Sequence, residues 1–312
     1  MTNSALVDRL HGIIPPVITP LSDNGEFDRA SAETLYRHLL DCGVHGLFLF
    51  GSSGEGPWLS ESARLAAMDT ARRVAGGRVP LLVGALAPAT DAVVEQARQA
   101  QERGADAVVV CPPFYFRATQ SEVIEHFRAI HRAVSLPVVA YDIPVTTQTK
   151  IELGTMLELA REATIVAAKD SSSDAAGFRR LLVRRPAQFR LFTGSELLVD
   201  AVLLAGADGA VPGLANVAPE LFVELYDHWR AGRLAEAAEV QDRITRLFEV
   251  FVCPDGAIRA GYAIGSMKAA MRVRGVIAST RLCRPFSPVT VDHEERVRAI
   301  MREVGVPVGA AT

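Results

Sequence analysis

The chain has 312 residues, 49% of them hydrophobic and 22% charged. That is the balance of a soluble globular protein with material for a large core, and it excludes a disordered chain. Lys and Arg total 33 against 36 Asp and Glu, a net charge of −3, and with 6% aromatics and no basic run the chain is not of the nucleic-acid-binding class.

Short apolar runs alternate along the chain with longer amphipathic stretches. The first run, 12–19, leads through a polar turn at 22–25 to a helix over 28–42, with Asp28 placed as its N-cap. Runs at 46–50, 79–84 and 107–111 are followed by helical patterns over 60–74, 90–103 and 120–134. Runs at 137–141, 164–169, 189–192 and 209–211 are followed by helical patterns over 153–162, 175–183, 196–204 and 219–230. Strands that read almost wholly apolar suit a parallel sheet buried on both faces. Repeated strand–helix units without a GxGxxG after the first strand predict an α/β fold, a (β/α)8 TIM barrel over 12–230, rather than an open doubly wound sheet. Beyond 230 the strand signal ends. Helices over 234–250, 257–273 and 292–304 predict a C-terminal helical region, 231–312, packed on the barrel.

Four cysteines, Cys42, Cys111, Cys253 and Cys283, form no CxxC pair and stand beside no histidine cluster. The expectation is reduced thiols, with no zinc site and no disulfide framework. The first twelve residues lack the apolar core of a signal peptide, and no apolar stretch approaches the roughly 20 residues that span a bilayer. A cytoplasmic protein with no membrane partner is therefore expected.

In a TIM barrel the site lies at the carboxyl ends of the strands, which reduces the chain to a few loops. After strand 2 comes Gly51-Ser52-Ser53-Gly54-Glu55, whose hydroxyls and backbone N–H groups suit a carboxylate or oxyanion. Strand 5 ends at Tyr141-Asp142-Ile143-Pro144, strand 6 at Lys169-Asp170-Ser171, and strand 7 runs into Gly194-Ser195-Glu196. Lys169 ends an apolar run and is one of three lysines, with Lys150 and Lys268. A lysine reaching from the rim into solvent would explain it alone. Inside the barrel mouth, apolar surroundings favour the neutral amine, which attacks a ketone to form a Schiff base. Tyr141, ending the adjacent strand, is expected beside it as proton relay. The seven histidines, Glu55 and the two tryptophans read as packing or surface residues, and Glu196 reads equally as a residue facing the substrate or as a helix-start acid.

Together these motifs resemble the pyruvate-dependent class I aldolase family, which includes dihydrodipicolinate synthase, N-acetylneuraminate lyase and 2-keto-3-deoxygluconate aldolase. Gly51 to Glu55 looks like the family's G-[ST]-[ST]-G-E loop. Tyr141 to Pro144 looks like its Y-N-x-P motif with Asp142 in place of the usual asparagine, and Lys169-Asp170-Ser171 like its Schiff-base motif. The resemblance implies that Lys169 binds pyruvate or a 2-keto acid as an imine, so that no metal or organic cofactor is needed. It implies Tyr141 as general acid/base with Ser52 in its proton relay. Gly51, Ser53, Gly194 and Val211 would line the pyruvate site, and Tyr115 would reach a neighbouring subunit's site in a homotetramer.

Two departures bear on the substrate. Where dihydrodipicolinate synthases carry an arginine for the carboxylate of their aldehyde, this chain has Thr146, which makes no bidentate charged pair. Where they carry alanine, it has Ser171. With Ser172, Ser173 and Thr147 these residues suggest a polar, uncharged acceptor pocket. The expected activity is that of a lyase or aldolase for hydroxylated 2-keto acids of the 2-keto-3-deoxy sugar acid type. Three alternatives stand beside it: a dihydrodipicolinate synthase condensing pyruvate with aspartate semialdehyde, its anion bound by Arg117 or Arg281; a keto-acid dehydratase; and a catalytically silent keto-acid-binding regulator.

Overall fold

The structure is a computed structural model that describes residues 6–309. Eight parallel strands are hydrogen-bonded in the order β1-β8-β7-β6-β5-β4-β3-β2. They are β1 (Gly12–Ile13), β2 (Leu47–Leu49), β3 (Leu81–Gly84), β4 (Ala107–Val110), β5 (Val138–Asp142), β6 (Ala167–Asp170), β7 (Arg190–Thr193) and β8 (Gly209–Ala210). The two ends of the sheet meet: Pro16 bridges Phe48 in parallel, Phe48 N donates to Pro15 O at 3.1 Å and Val17 N to Phe48 O at 2.8 Å. The sheet is thereby closed into the expected TIM barrel.

Helices follow the strands in turn. α1 (Arg29–Asp41), α2 (Glu61–Ala75), α3 (Thr90–Glu102) and α4 (Gln120–Ala133) serve the first half. A single short turn, α5 (Pro144–Thr147), precedes α6 (Leu153–Arg161), and α7 (Ala175–Arg184), α8 (Val199–Leu204) and α9 (Pro219–Arg230) complete the ring. Caps set several starts: Asp28 accepts from Ser31 N, and Thr119 with Glu122 forms a capping box on α4. After the ring come α10 (Leu234–Leu247), α11 (Ala260–Val273) and α12 (Val291–Glu303).

Strand alternation splits the apolar residues into two cores. Inward-facing Phe48, Leu82, Val109, Val139, Ala167, Phe192 and Val211 fill the barrel, with Leu6 and Leu10 beneath them. Outward-facing Leu49, Val83, Val108, Val138, Ala140, Ala168 and Leu191 pack against the helices. This parity explains why the strands read apolar at every position, and it decides which polar residue at a strand end points into the barrel.

Candidate active site

Ala167 faces inward and Ala168 outward, so Lys169 faces inward and Asp170 outward. The same count on β5 turns Tyr141 in and Asp142 out. Tyr141 pairs in register with Lys169, which pairs in turn with Phe192 on β7. Lys169 is 6% exposed. Its Nζ lies 4.3 Å from the centre of the Tyr141 ring and 5.5 Å from that of Phe48, within the range of cation–π attraction. Beneath the amine is a void of about 10 Å³ whose other walls are apolar, among them Phe48, Val139, Phe192 and Val211. With the lysine as the one polar group on its walls, it offers too few partners to hold an ordered water.

Gly194 leaves space for the lysine. A Cβ there would fall 1.9 Å from Ser171 Oγ and 3.0 Å from Lys169 Cε, so Ser171 and the lysine stem converge on one glycine. On the β8 side, Gly213 N donates to Glu196 Oε1 at 2.8 Å. A Cβ at Gly213 would lie 3.2 Å from that oxygen and 3.5 Å from Ser53 Oγ, which brings the serine loop, Glu196 and β8 to one rim. Desolvation pushes the Glu196 carboxyl above its ordinary range, against the pull of backbone N–H groups and of Lys169. Glu196 therefore reaches across to the segment after β8 while still bonding its own backbone N–H at the start of its turn.

The serine loop is held in strained backbone. Phe50 (φ 62°) and Glu55 (φ 55°) flank it, both in the left-handed region. Arg64 stacks on Phe50 at 4.5 Å and bonds Gly84 O at 2.9 Å. The fully buried Glu55 pairs with the equally buried Lys268 of α11 at 2.5 Å and accepts from Cys283 N at 2.6 Å. The N–H groups of Gly54, Glu55 and Gly56 bond back to carbonyls of Gly51 and Ser52, whereas those of Ser52 and Ser53 have no partner among the described residues. Two free N–H groups on a tight loop are donors of the kind that hold an anion. Glu55 read as a packing residue in the sequence. Its partner lies more than 200 residues away in the chain, and no local pattern signals such a pair.

Not every candidate residue gathers here. Thr146 is exposed and its hydroxyl donates to Ile143 O at 3.1 Å, while the buried Thr147 hydroxyl bonds Ile143 O and Thr149 O. Both hydroxyls are engaged by the backbone of α5, a helical turn the sequence pattern did not reveal. Tyr115 is 76% exposed and lines a separate cavity of about 760 Å³ with Phe116 and Arg117. Arg281 faces another cavity, beside Trp58. A cleft of about 500 Å³ between the loops after β6 and β7 has Ser171, Ser173, Thr193, Gly194 and Glu196 among its walls. The fold also brings His38, Cys42 and Glu220 within 4.8 Å of one another, a juxtaposition the cysteine spacing did not suggest. There Glu220 is already paired with Arg274 at 3.0 Å. No helix among the described residues is long and apolar enough to cross a membrane.

Residues 9–304 match the model of the dihydrodipicolinate synthetase family. The chain belongs to that family. An uncharacterized DapA-like lyase of Thermofilum pendens is 32% identical over 96% of this chain and 99% of its own. A 4-hydroxy-tetrahydrodipicolinate synthase of Gluconacetobacter diazotrophicus is 31% identical over 95% and 97%. A protein of Escherichia coli named as a probable 2-dehydro-3-deoxy-D-pentonate aldolase is 30% identical over 96% and 98%. Among solved structures, the family member YagE of Escherichia coli, in complex with pyruvate, superposes with a TM-score of 0.89 at 27% identity, covering 96% of this chain and 99% of YagE. As a dihydrodipicolinate synthetase family protein the chain is an enzyme, a lyase of the class I aldolase type.

Proposed function

We propose that this protein is a Schiff-base lyase acting on pyruvate and 2-keto acids, and that its physiological substrate is a hydroxylated keto acid of the 2-keto-3-deoxy sugar acid type. One observation carries the reading: the buried Lys169 amine sits over a dry apolar void, 4.3 Å from the Tyr141 ring. The amine attacks the C2 carbonyl, a C–N bond forms, and the carbonyl oxygen departs as water. The protonated imine draws electrons, so a base can remove a C3 proton and leave an enamine. In synthesis the enamine carbon attacks an aldehyde, whose oxygen gains a proton. In cleavage the C4 hydroxyl loses a proton, the C3–C4 bond breaks and the aldehyde leaves. Tyr141 moves these protons with Ser52, and the free N–H groups of Ser52 and Ser53 hold the carboxylate. Gly51, Gly194 and Val211 shape the pyruvyl site.

Ser171 and Glu196 supply the acceptor side. A hydroxyl and a carboxyl near the lysine suit a chain of alcohols, whereas a second carboxylate would meet Glu196 without a compensating arginine at Thr146. The named synthases among the relatives keep the condensation with aspartate semialdehyde as a second reading. We also propose that the protein is a homotetramer in which the exposed Tyr115 and Phe116 meet a neighbouring subunit. The test is borohydride reduction with pyruvate and intact mass on wild type and Lys169→Ala, then a panel of sugar-derived keto acids and aldehydes. A pyruvate adduct on wild type alone is expected, together with cleavage of a 2-keto-3-deoxy acid. Pyruvate binding without an adduct overturns the enzyme mechanism in favour of a silent sensor, loss of water without cleavage makes the protein a dehydratase, and preference for aspartate semialdehyde overturns the substrate class.

A further inference from the structure

The two strands that carry Tyr141 and Lys169 each run one residue further, to Asp142 and Asp170, which pair in register and point out of the barrel. Their side chains are 1% and 7% exposed. Two carboxylates buried side by side repel and are costly without a cation. Lys150 supplies it: its Nζ bonds Asp142 Oδ2 and lies 3.7 Å from Asp170 Oδ2. The remaining oxygens hold backbone, Asp142 Oδ1 accepting from Ile151 N at 3.1 Å and Asp170 Oδ1 from Ser172 N at 2.8 Å. The segment that bears Lys150 also grips the loop after β4, through Ala118 N to Thr149 Oγ1 at 3.2 Å and Gln120 Nε2 to Lys150 O at 2.9 Å. The ends of β5 and β6 thus meet at one ammonium, a single residue behind each of the two reacting side chains, and the backbone that bears it also holds the loop after β4.

We propose that Lys150 is a positioning residue: wedged between Asp142 and Asp170, it fixes the ends of β5 and β6 so that Tyr141 stays aligned with the imine on Lys169. The proposal rests on the Schiff-base reading above. Proton transfer, which demands close alignment, depends on the clamp, whereas formation of the imine needs only the amine. Lys150→Met leaves Asp142 buried and uncompensated. Lys150→Arg keeps the cation, and Asp142→Asn with Lys150→Met removes the Lys150–Asp142 charge pair while leaving Asp170 charged and an acceptor for Ile151 N.

The experiment compares two readouts on the full chain with pyruvate as the probe. One is the extent of borohydride trapping at saturating pyruvate; the other is the rate of exchange of the pyruvate methyl protons with deuterated water, followed by NMR. Lys150→Met is expected to trap as fully as wild type but to exchange at least tenfold more slowly, with Lys150→Arg recovering most of the rate and the double variant, which relieves the stranded charge without restoring the clamp, remaining slow; a double variant that returns to the wild-type rate overturns the clamp. Exchange at the wild-type rate in Lys150→Met, or trapping that falls in step with exchange, overturns the proposal. If Lys150→Met does not fold, Asp142→Asn takes its place, with slowed exchange expected and an unchanged rate overturning. A wild type that gives no adduct overturns the Schiff-base reading itself, and the clamp with it; an adduct without these differences overturns the clamp alone.

Discussion

Gly194 has room for a hydrogen and nothing larger, because Ser171 Oγ and Lys169 Cε converge on the position a Cβ would take. Gly194→Ala must therefore displace the lysine stem or the loop after β6. A misplacement of about 1 Å can cost on the order of 10²-fold in rate, so a loss of that size in keto-acid turnover is expected, with little change in melting temperature. An active Gly194→Ala would contradict the placement of Lys169. Glu196 obeys a different logic. Its carboxyl is raised by desolvation, so the folded chain holds this proton more tightly than the unfolded chain does; the associated stability is present below the ordinary carboxyl pKa and is lost as pH rises through the raised value. Glu196→Gln should leave the fold more stable at neutral pH while weakening turnover of hydroxylated substrates. A drop in neutral-pH stability would show that the carboxylate is held by more favourable contacts than these.

Among the elements, α11 reaches from the C-terminal helices to the serine loop. Lys268 and Glu55 are both wholly buried, and Lys268 also donates to Arg281 O at 2.6 Å. Breaking one partner of such a pair strands a charge, at a cost of about 3–5 kcal/mol. Lys268→Met should lower the unfolding free energy measured in urea by that margin, and Glu55→Gln added to it should recover a large part. If the double variant is no better than the single, the loss arises from packing around the methylenes and not from the charge. The C-terminal helices thus act as part of the site: they secure a loop whose backbone, strained at Phe50 and Glu55, has no regular ladder of its own.

For the whole molecule, acid should act through buried histidine as well as through carboxylates. His126 is 2% exposed; its Nε2 meets Cys111 O at 3.2 Å and its Nδ1 meets Thr90 Oγ1 at 2.9 Å. A carbonyl only accepts, so Nε2 carries the proton and Nδ1 accepts from the threonine. Burial lowers this histidine from 6.5 to about 4. The unfolded chain takes up the proton first, so stability falls as pH drops from 6.5 towards 4, by up to about 3 kcal/mol from this group. The melting temperature of wild type should decline across that window more steeply than that of His126→Gln, and parallel curves would remove His126 from the account.

The alternation of apolar runs with helical patterns was enough to place eight strands and their helices within a residue or two at most boundaries, because each pattern reports which face is buried. It was enough, too, to bring Lys169 and Tyr141 to adjacent strand ends, since β5 and β6 are neighbours in the chain and in the sheet alike. The side chains around them were not legible in this way. Glu55 with Lys268, Glu196 with Gly213, and Asp142 with Lys150 and Asp170 owe their partners to closure of the barrel and to helices returning over its mouth. Periodicity encodes burial along a segment. The pairing of charges depends on which segments meet in space, and that is settled only when the chain has packed.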